Sequence, residues 1–223
     1  MTRALRYISI AALAVLGWVS VTAAADLSGA AWHGDLAAVK QLVEQGADVD
    51  SRDNQGATPL LSAAIKGNFE VADYLISRGA DIMARDLEGG TALHYAAFAG
   101  SLKVAELLLA KGAEVNAIRL NGDTPLHLAA WGGVSSNEDI RMVTFLLDHG
   151  ARINARNSQG ETPLHKATDR PHTTLSDQTV DLLVKRGADV TIRNNDGLTP
   201  SDYATDNRNF VQLLYLNQKD GKK

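Results

Sequence analysis

Six histidines and no cysteine limit the chemistry that this chain of 223 residues could perform. Without a thiol there is no cysteine nucleophile, cysteine-ligated zinc or iron–sulfur site, disulfide framework or lipid-modified cysteine. Imidazole can serve as general base, proton shuttle or metal ligand, but each role needs partners at defined spacing. His33, His149 and His172 read as helix-end or loop residues and form no H-E-x-x-H or comparable ligand set. His94, His127 and His165 stand 33 and 38 residues apart, a spacing that spreads them along the chain. A hydrolase built on His172, Asp169 and Asp177 would need their loop to converge on a pocket. Asp48, Asp50 and Asp53 resemble the start of a calcium loop, yet the glycine comes too late, at Gly56, and no glutamate closes the loop. The chain carries no G-x-S-x-G elbow, phosphate-binding P-loop or dinucleotide fingerprint. No catalytic residue, metal ligand or cofactor is therefore expected.

The elements that carry these residues follow from composition and periodicity. A chain 45% hydrophobic and 22% charged is globular. With 5% aromatics and 19 glycines against 5 prolines, its core must come from Ala, Leu and Val, punctuated by glycine. A net charge of −4 disfavours nucleic-acid binding through a basic face. Residues 1–25 read as a secretory signal: Arg3 and Arg6, an apolar stretch from Tyr7 to Val21, then Ala23-Ala24-Ala25 ahead of Asp26. The alternatives are an uncleaved anchor or an amphipathic helix. The apolar core falls short of the ~20 residues a spanning helix prefers, so cleavage after Ala25 is expected. It would remove two arginines and no acid, leaving 20 basic against 26 acidic side chains, or −6.

The rest of the chain repeats. Gly46-Ala47-Asp48-Val49 recurs as Gly79-Ala80-Asp81-Ile82, Gly112-Ala113-Glu114-Val115, Gly150-Ala151-Arg152-Ile153 and Gly187-Ala188-Asp189-Val190, at steps of 33, 33, 38 and 37. A second phrase keeps the same steps: Thr58-Pro59-Leu60, Thr91-Ala92-Leu93-His94, Thr124-Pro125-Leu126-His127, Thr162-Pro163-Leu164-His165 and Thr199-Pro200-Ser201. Threonine caps a helix and proline fits its first turn, where a missing N–H costs nothing. A short Ala-rich helix follows, then glycine, then a second helix such as 102–111, ended by Gly112 in the left-handed cap conformation. Such a unit cannot bury its apolar face alone, so stacking must stabilise it.

These phrases resemble the ankyrin repeat, over Leu27 to about Leu216. The resemblance implies an all-α ankyrin repeat solenoid, helix-turn-helix units joined by β-hairpin-like loops. It divides the chain into 1–25 (signal) and a repeat domain, 26–217, with units at 27–52 (an N-terminal cap), 53–85, 86–118, 119–156, 157–193 and 194–217 (a C-terminal cap). A polar tail, 218–223, follows. In the last unit Phe210, Val211, Leu213 and Leu214 are expected to seal the end of the stack. The family pattern also makes Thr58, Thr91, Thr124, Thr162, His94, His127 and His165 structural, each histidine bonding its threonine and the neighbouring turn.

In such repeats the residue after the paired small residues of the first helix faces the concave groove. Here those residues are Trp32, Ile65, Phe98 and Trp131, each 33 from the last, with Asp169 breaking the series. They read either as core packing between helices or as an apolar ladder that anchors a partner. Leu87 and Leu120 add apolar side chains at hairpin tips where solvated residues are expected. Arg52, Arg85, Arg156 and Arg193 recur before the tips, with Arg119 one place late; they could meet an acidic partner or balance local aspartates. The two long steps place loop-like insertions, 132–139 and 169–177, between the helices of two units; they are tolerated insertions or a second contact patch.

The resemblance implies a non-catalytic, monomeric scaffold that binds a protein partner, with no cofactor, no nucleic acid and no membrane after signal cleavage. With an export signal, the bacterial periplasm is the expected compartment and secretion the alternative. Exported bacterial ankyrin proteins are thought to support or restrain other proteins, which suggests an accessory factor to a periplasmic enzyme such as a catalase. A toxin-neutralising immunity protein or inhibitor, and a host-directed effector, are the alternatives.

Overall fold

The structure is a computed structural model that describes residues 27–132, 137–169 and 174–203, without side-chain detail at 137–139 and 174–177. The signal-like segment, the end-sealing residues Phe210 to Leu214, and the centres of both insertions lie outside the described residues. Eleven helices follow one another with no strand among the described residues. They are α1 (27–33), α2 (Leu36–Glu44), α3 (Pro59–Lys66), α4 (Phe69–Ser77), α5 (Ala92–Phe98), α6 (Leu102–Ala110), α7 (Pro125–Trp131), α8 (Asn137–Asp148), α9 (Pro163–Thr168), α10 (Thr174–Lys185) and α11 (Pro200–Tyr203). None is long and apolar enough to cross a membrane.

The first helix of each unit is short because both ends are written in the sequence. Thr58, Thr91, Thr124 and Thr162 are the N-caps, in extended conformation, and Pro59, Pro125 and Pro163 occupy the first turn. Between them a Leu-x-x-Ala-Ala rhythm is buried: Leu60, Ala63 and Ala64, then Leu93, Ala96 and Ala97, then Leu126, Ala129 and Ala130. Methyl side chains let α3, α5, α7, α9 and α11 pack each against the next, forming one layer. The second helices, α2, α4, α6, α8 and α10, form the other layer and bury Val39, then Val71 and Leu75, Val104 and Leu108, Val143 and Leu146, Val180 and Leu183. The core is one continuous aliphatic seam between the two layers. The architecture is an all-α solenoid.

The insertions are shorter as loops than their spacing suggests. α8 and α10 each have 12 residues where α6 has 9, and all three end two residues before their glycine, at Gly150, Gly187 and Gly112. The extra length is therefore at the start, where 137–139 and 174–177 continue the helix instead of looping.

Hairpin-like connections project from the first-helix layer and are tied tip to tip. The N–H of Leu87 donates to Gln55 O (3.1 Å), Leu120 to Glu88 O (3.0 Å), Ser158 to Asn121 O (2.9 Å) and Asn195 to Gln159 O (2.9 Å). Gly122 shows why glycine closes each tip. Its φ is +80°, and a Cβ there would stand 2.8 Å from the Ser158 nitrogen.

Candidate partner-binding surface

Three of the six histidines are spent inside the stack. The Nδ1 of His94 accepts the Thr91 backbone N–H at 3.2 Å and lies 2.9 Å from Thr91 Oγ1, while Nε2 faces the carbonyl of Asp123 at 3.2 Å. An amide can only donate and a carbonyl can only accept, so the ring is neutral with its proton on Nε2. His127 repeats this with Thr124 and Glu161 O (3.1 Å), and His165 with Thr162 and Leu198 O (3.2 Å). Each histidine thus caps its own helix and stitches its unit to the next hairpin. Burial lowers the pKa of all three, that of His94 to about 4. His33 and His149 are exposed, on α1 and just after α8. His172 lies outside the described residues, as does the side chain of Asp177; Asp169 is exposed at the end of α9.

The calcium-like aspartates each hold backbone amides. Asp48 accepts from Asp50 N, Asp50 from Asp81 N in the next unit, and Asp53 from both Gln55 N and Ala57 N. Among the described residues no cluster of three or more His, Asp or Glu could hold a metal ion.

The ladder positions fall at the C-terminal ends of the first helices. Trp32 and Trp131 are 41% and 47% exposed, Ile65 and Phe98 half-buried. The Phe98 and Trp131 rings meet at 5.7 Å between centroids, tilted by 36°. Trp32 and Ile65 border one cavity of about 120 Å³, together with Leu61, Ser62, Asp53, Asp86 and Tyr95. Lys66 Nζ stands 4.0 Å from the centre of the Trp32 ring. At the tips, Leu87 and Leu120 are 71% and 79% exposed, and Ile118 beside them 58%. Their backbone is fixed by the tip-to-tip bonds while their side chains stand in solvent.

Two features were not legible beforehand. Arg52, Arg85, Arg156 and Arg193 are latches that donate to backbone carbonyls. Arg52 Nη1 donates to Gly56 O (2.9 Å) in its own hairpin and to Arg85 O (2.5 Å) in the next; Arg85 does the same to Gly89 O and Ile118 O. Arg156 reaches Arg193 O, and Arg193 reaches Gly197 O. In the fourth unit the latch position holds Ile118, and the displaced Arg119 pairs with Glu88 instead. Backbone acceptors leave no trace in side-chain types, so spacing alone could not assign this role. The second feature is a groove position four residues after each capping threonine. There Tyr95 donates to Asp86, Lys166 pairs with Glu161 at 2.5 Å, and Tyr203 donates to Glu161 at 3.0 Å. Burial, reinforced by Glu161, pushes the Tyr203 hydroxyl up to about 12.

The two helical layers run along the whole described chain; the capping threonine recurs at 58, 91, 124 and 162, and the stitching histidine at 94, 127 and 165. The family model for ankyrin repeats (3 copies) matches residues 27–119, 88–157 and 126–223. No curated protein matches the sequence as a relative. Together these matches cover the described helices from end to end: the chain belongs to the ankyrin repeat family.

Proposed function

We propose that this protein is a non-catalytic scaffold that holds a partner protein in its concave groove and against its hairpin tips, working as a monomer in the bacterial envelope. Ankyrin repeats are generally protein–protein interaction modules, typically without catalysis. One observation carries the reading for this chain. Every exposed large apolar residue among those described lies on the groove side or on a hairpin: Trp32, Leu87, Ile118, Leu120, Trp131 and Leu198. The second helices supply none. Core packing does not require these side chains, and an apolar surface confined to one side marks an interaction face.

The signal-like first 25 residues support export, and the likeness to exported bacterial ankyrin proteins supports an accessory role beside a periplasmic enzyme such as an antioxidant enzyme. The experiment is capture of the partner from periplasmic extract by the parent protein, Phe98→Ala and Trp131→Ala. Removing a central aromatic anchor costs about 2 kcal/mol or more, so capture by either variant should fall at least thirtyfold in affinity. Retention of every partner by both variants would end the groove reading. Fractionation comparing precursor and mature masses tests the compartment.

A further inference from the structure

The cavity between Trp32 and Tyr95 borders a carboxylate oxygen that has no partner within the protein, and the repeat register shows which donor stands there in other units. In the third unit the first tip residue, Asp86, uses Oδ1 to accept the N–H of Glu88 and of Gly90, and its other oxygen takes the Tyr95 hydroxyl. In the last unit the matching pair, Asn194 and Tyr203, is joined at 2.8 Å. The second unit has the same turn: Asp53 Oδ1 accepts Gln55 N at 2.8 Å and Ala57 N at 2.9 Å. Its residue at that position, however, is Ser62, too short to span the gap, and Asp53, which is exposed, has no hydrogen-bond partner for Oδ2 among the described residues and leaves it to solvent. One unit earlier the register position is Gly29, where a Cβ would meet nothing within 4 Å. Ser62 thus lines a cavity of about 120 Å³ that has two aromatic walls, Trp32 and Tyr95, and two carboxylates, Asp53 and Asp86.

We infer that this cavity receives an arginine side chain from the partner protein, supplying in trans the donor that Tyr95 supplies in cis. This rests on the groove reading above and names the chemistry of one contact within it. A guanidinium is planar, so it stacks on the Trp32 or Tyr95 ring, and its forked N–H groups suit a carboxylate edge. The charge is complementary: Asp53 and Asp86 line the cavity and no cation does. The cations nearby are otherwise engaged: Lys66 over the Trp32 ring, Arg119 over the Tyr95 ring at 6.0 Å and paired with Glu88, and Arg52 on the carbonyls of Gly56 and Arg85. Trp32 therefore already shows that it accepts a cation.

The test is titration of the purified protein with acetyl-Leu-Arg-Leu-amide, with norleucine in place of arginine as control. Binding is followed by the NMR signals of the Trp32 indole N–H and the Gln55 and Ala57 amides. The arginine peptide should shift these signals saturably and the control should not. Asp53→Asn should weaken binding about tenfold, the loss of one charge-assisted hydrogen bond. Ser62→Tyr should fill the cavity from within, block the peptide and raise Tm. Both variants are compatible with the fold, because the chain itself has Asn at 157 and 194 and Tyr at 95 and 203 at these register positions. Equal shifts by both peptides, or unchanged binding in folded Asp53→Asn, would overturn the inference. Trp131→Ala should leave the peptide titration unaltered, since Trp131 does not line the cavity. Loss of capture in that variant therefore bears on the groove alone, and the two failures are separable.

Discussion

At the residue scale, the buried histidines make the stack acid-sensitive. Burial holds His94 neutral down to about pH 4, whereas an unfolded histidine protonates near 6.5. Between those values the unfolded chain binds the extra proton, so stability is complete above about pH 6.5 and is lost as the pH falls towards 4. At pH 5 the loss from His94 alone is about 2 kcal/mol. His127 and His165 shift in the same direction for the same reason. Leucine stands at the equivalent position of the second unit, Leu61, so His94→Leu is sterically acceptable. It should be less stable at pH 7, having lost the bond to Asp123 O, yet show a shallower decline to pH 5 in urea unfolding. Parallel pH curves for variant and parent would sink this account. The threonine–histidine phrase was legible because both partners sit within one turn. The second acceptor is a backbone carbonyl 29 residues away, which only the repeat resemblance could suggest. The Ser62–Asp53 gap was hidden differently: a serine at a groove position looks ordinary until Tyr95 and Tyr203 show what its neighbours do.

At the element scale, the hairpins carry both stability and surface. Four of the five share an arginine before the tip and an Asp or Asn at its first residue: 52 and 53, 85 and 86, 156 and 157, 193 and 194. The Asp or Asn oxygen caps two amides in every one of these turns. The fourth unit breaks the pattern with Ile118 and Arg119; there Asn121 caps only Asp123 N, and Asn157 reaches back to Asp123 from the next unit. Ile118→Arg combined with Arg119→Asp should rebuild the latch. Its gain is two charge-assisted bonds to carbonyls; its loss is the Arg119–Glu88 pair, whose glutamate is exposed and whose arginine is largely buried with Nε unpaired, so the pair offsets little beyond its own desolvation. A net stabilisation of about 1 kcal/mol is expected, read as a higher urea midpoint. An unchanged or lower midpoint would show that the arginines are not latches. The same double variant removes an exposed apolar side chain from the proposed binding surface, so a gain in stability with a loss of partner capture would mean that this hairpin departs from the pattern for binding. The one helix bounded from sequence, 102–111, ends a residue earlier, at Ala110. The insertions were not legible, because an irregular spacing does not say whether extra residues loop or lengthen a helix.

At the scale of the whole molecule, a stack of units with the same step can lose a unit without losing its register. Deleting residues 86–118 joins Arg85 to Arg119, which places Arg85 at the latch position that Ile118 vacates and leaves Gln55 O opposite Leu120 N. Asp50, which now accepts from Asp81, keeps that partner, and Arg52 keeps the Arg85 carbonyl. The shortened chain should therefore fold. Stability in such solenoids is a sum of unit and interface terms, so one interface fewer lowers the midpoint; the m-value, which follows buried surface, should drop by roughly one sixth for six units. The healed latch offsets part of the lost stability but none of the lost surface. Function should respond out of proportion. The deletion takes Phe98 from beside Trp131, Leu87 from the tips, and Tyr95 and Asp86 from the arginine cavity, so partner capture and peptide binding should both vanish in a protein whose circular dichroism still shows a helical stack. A shortened stack that folds and binds as the parent does would mean that the contacts lie elsewhere, on the second helices or on the insertions. Failure to fold would show that the units are coupled by more than the stitches, latches and seam that each interface repeats.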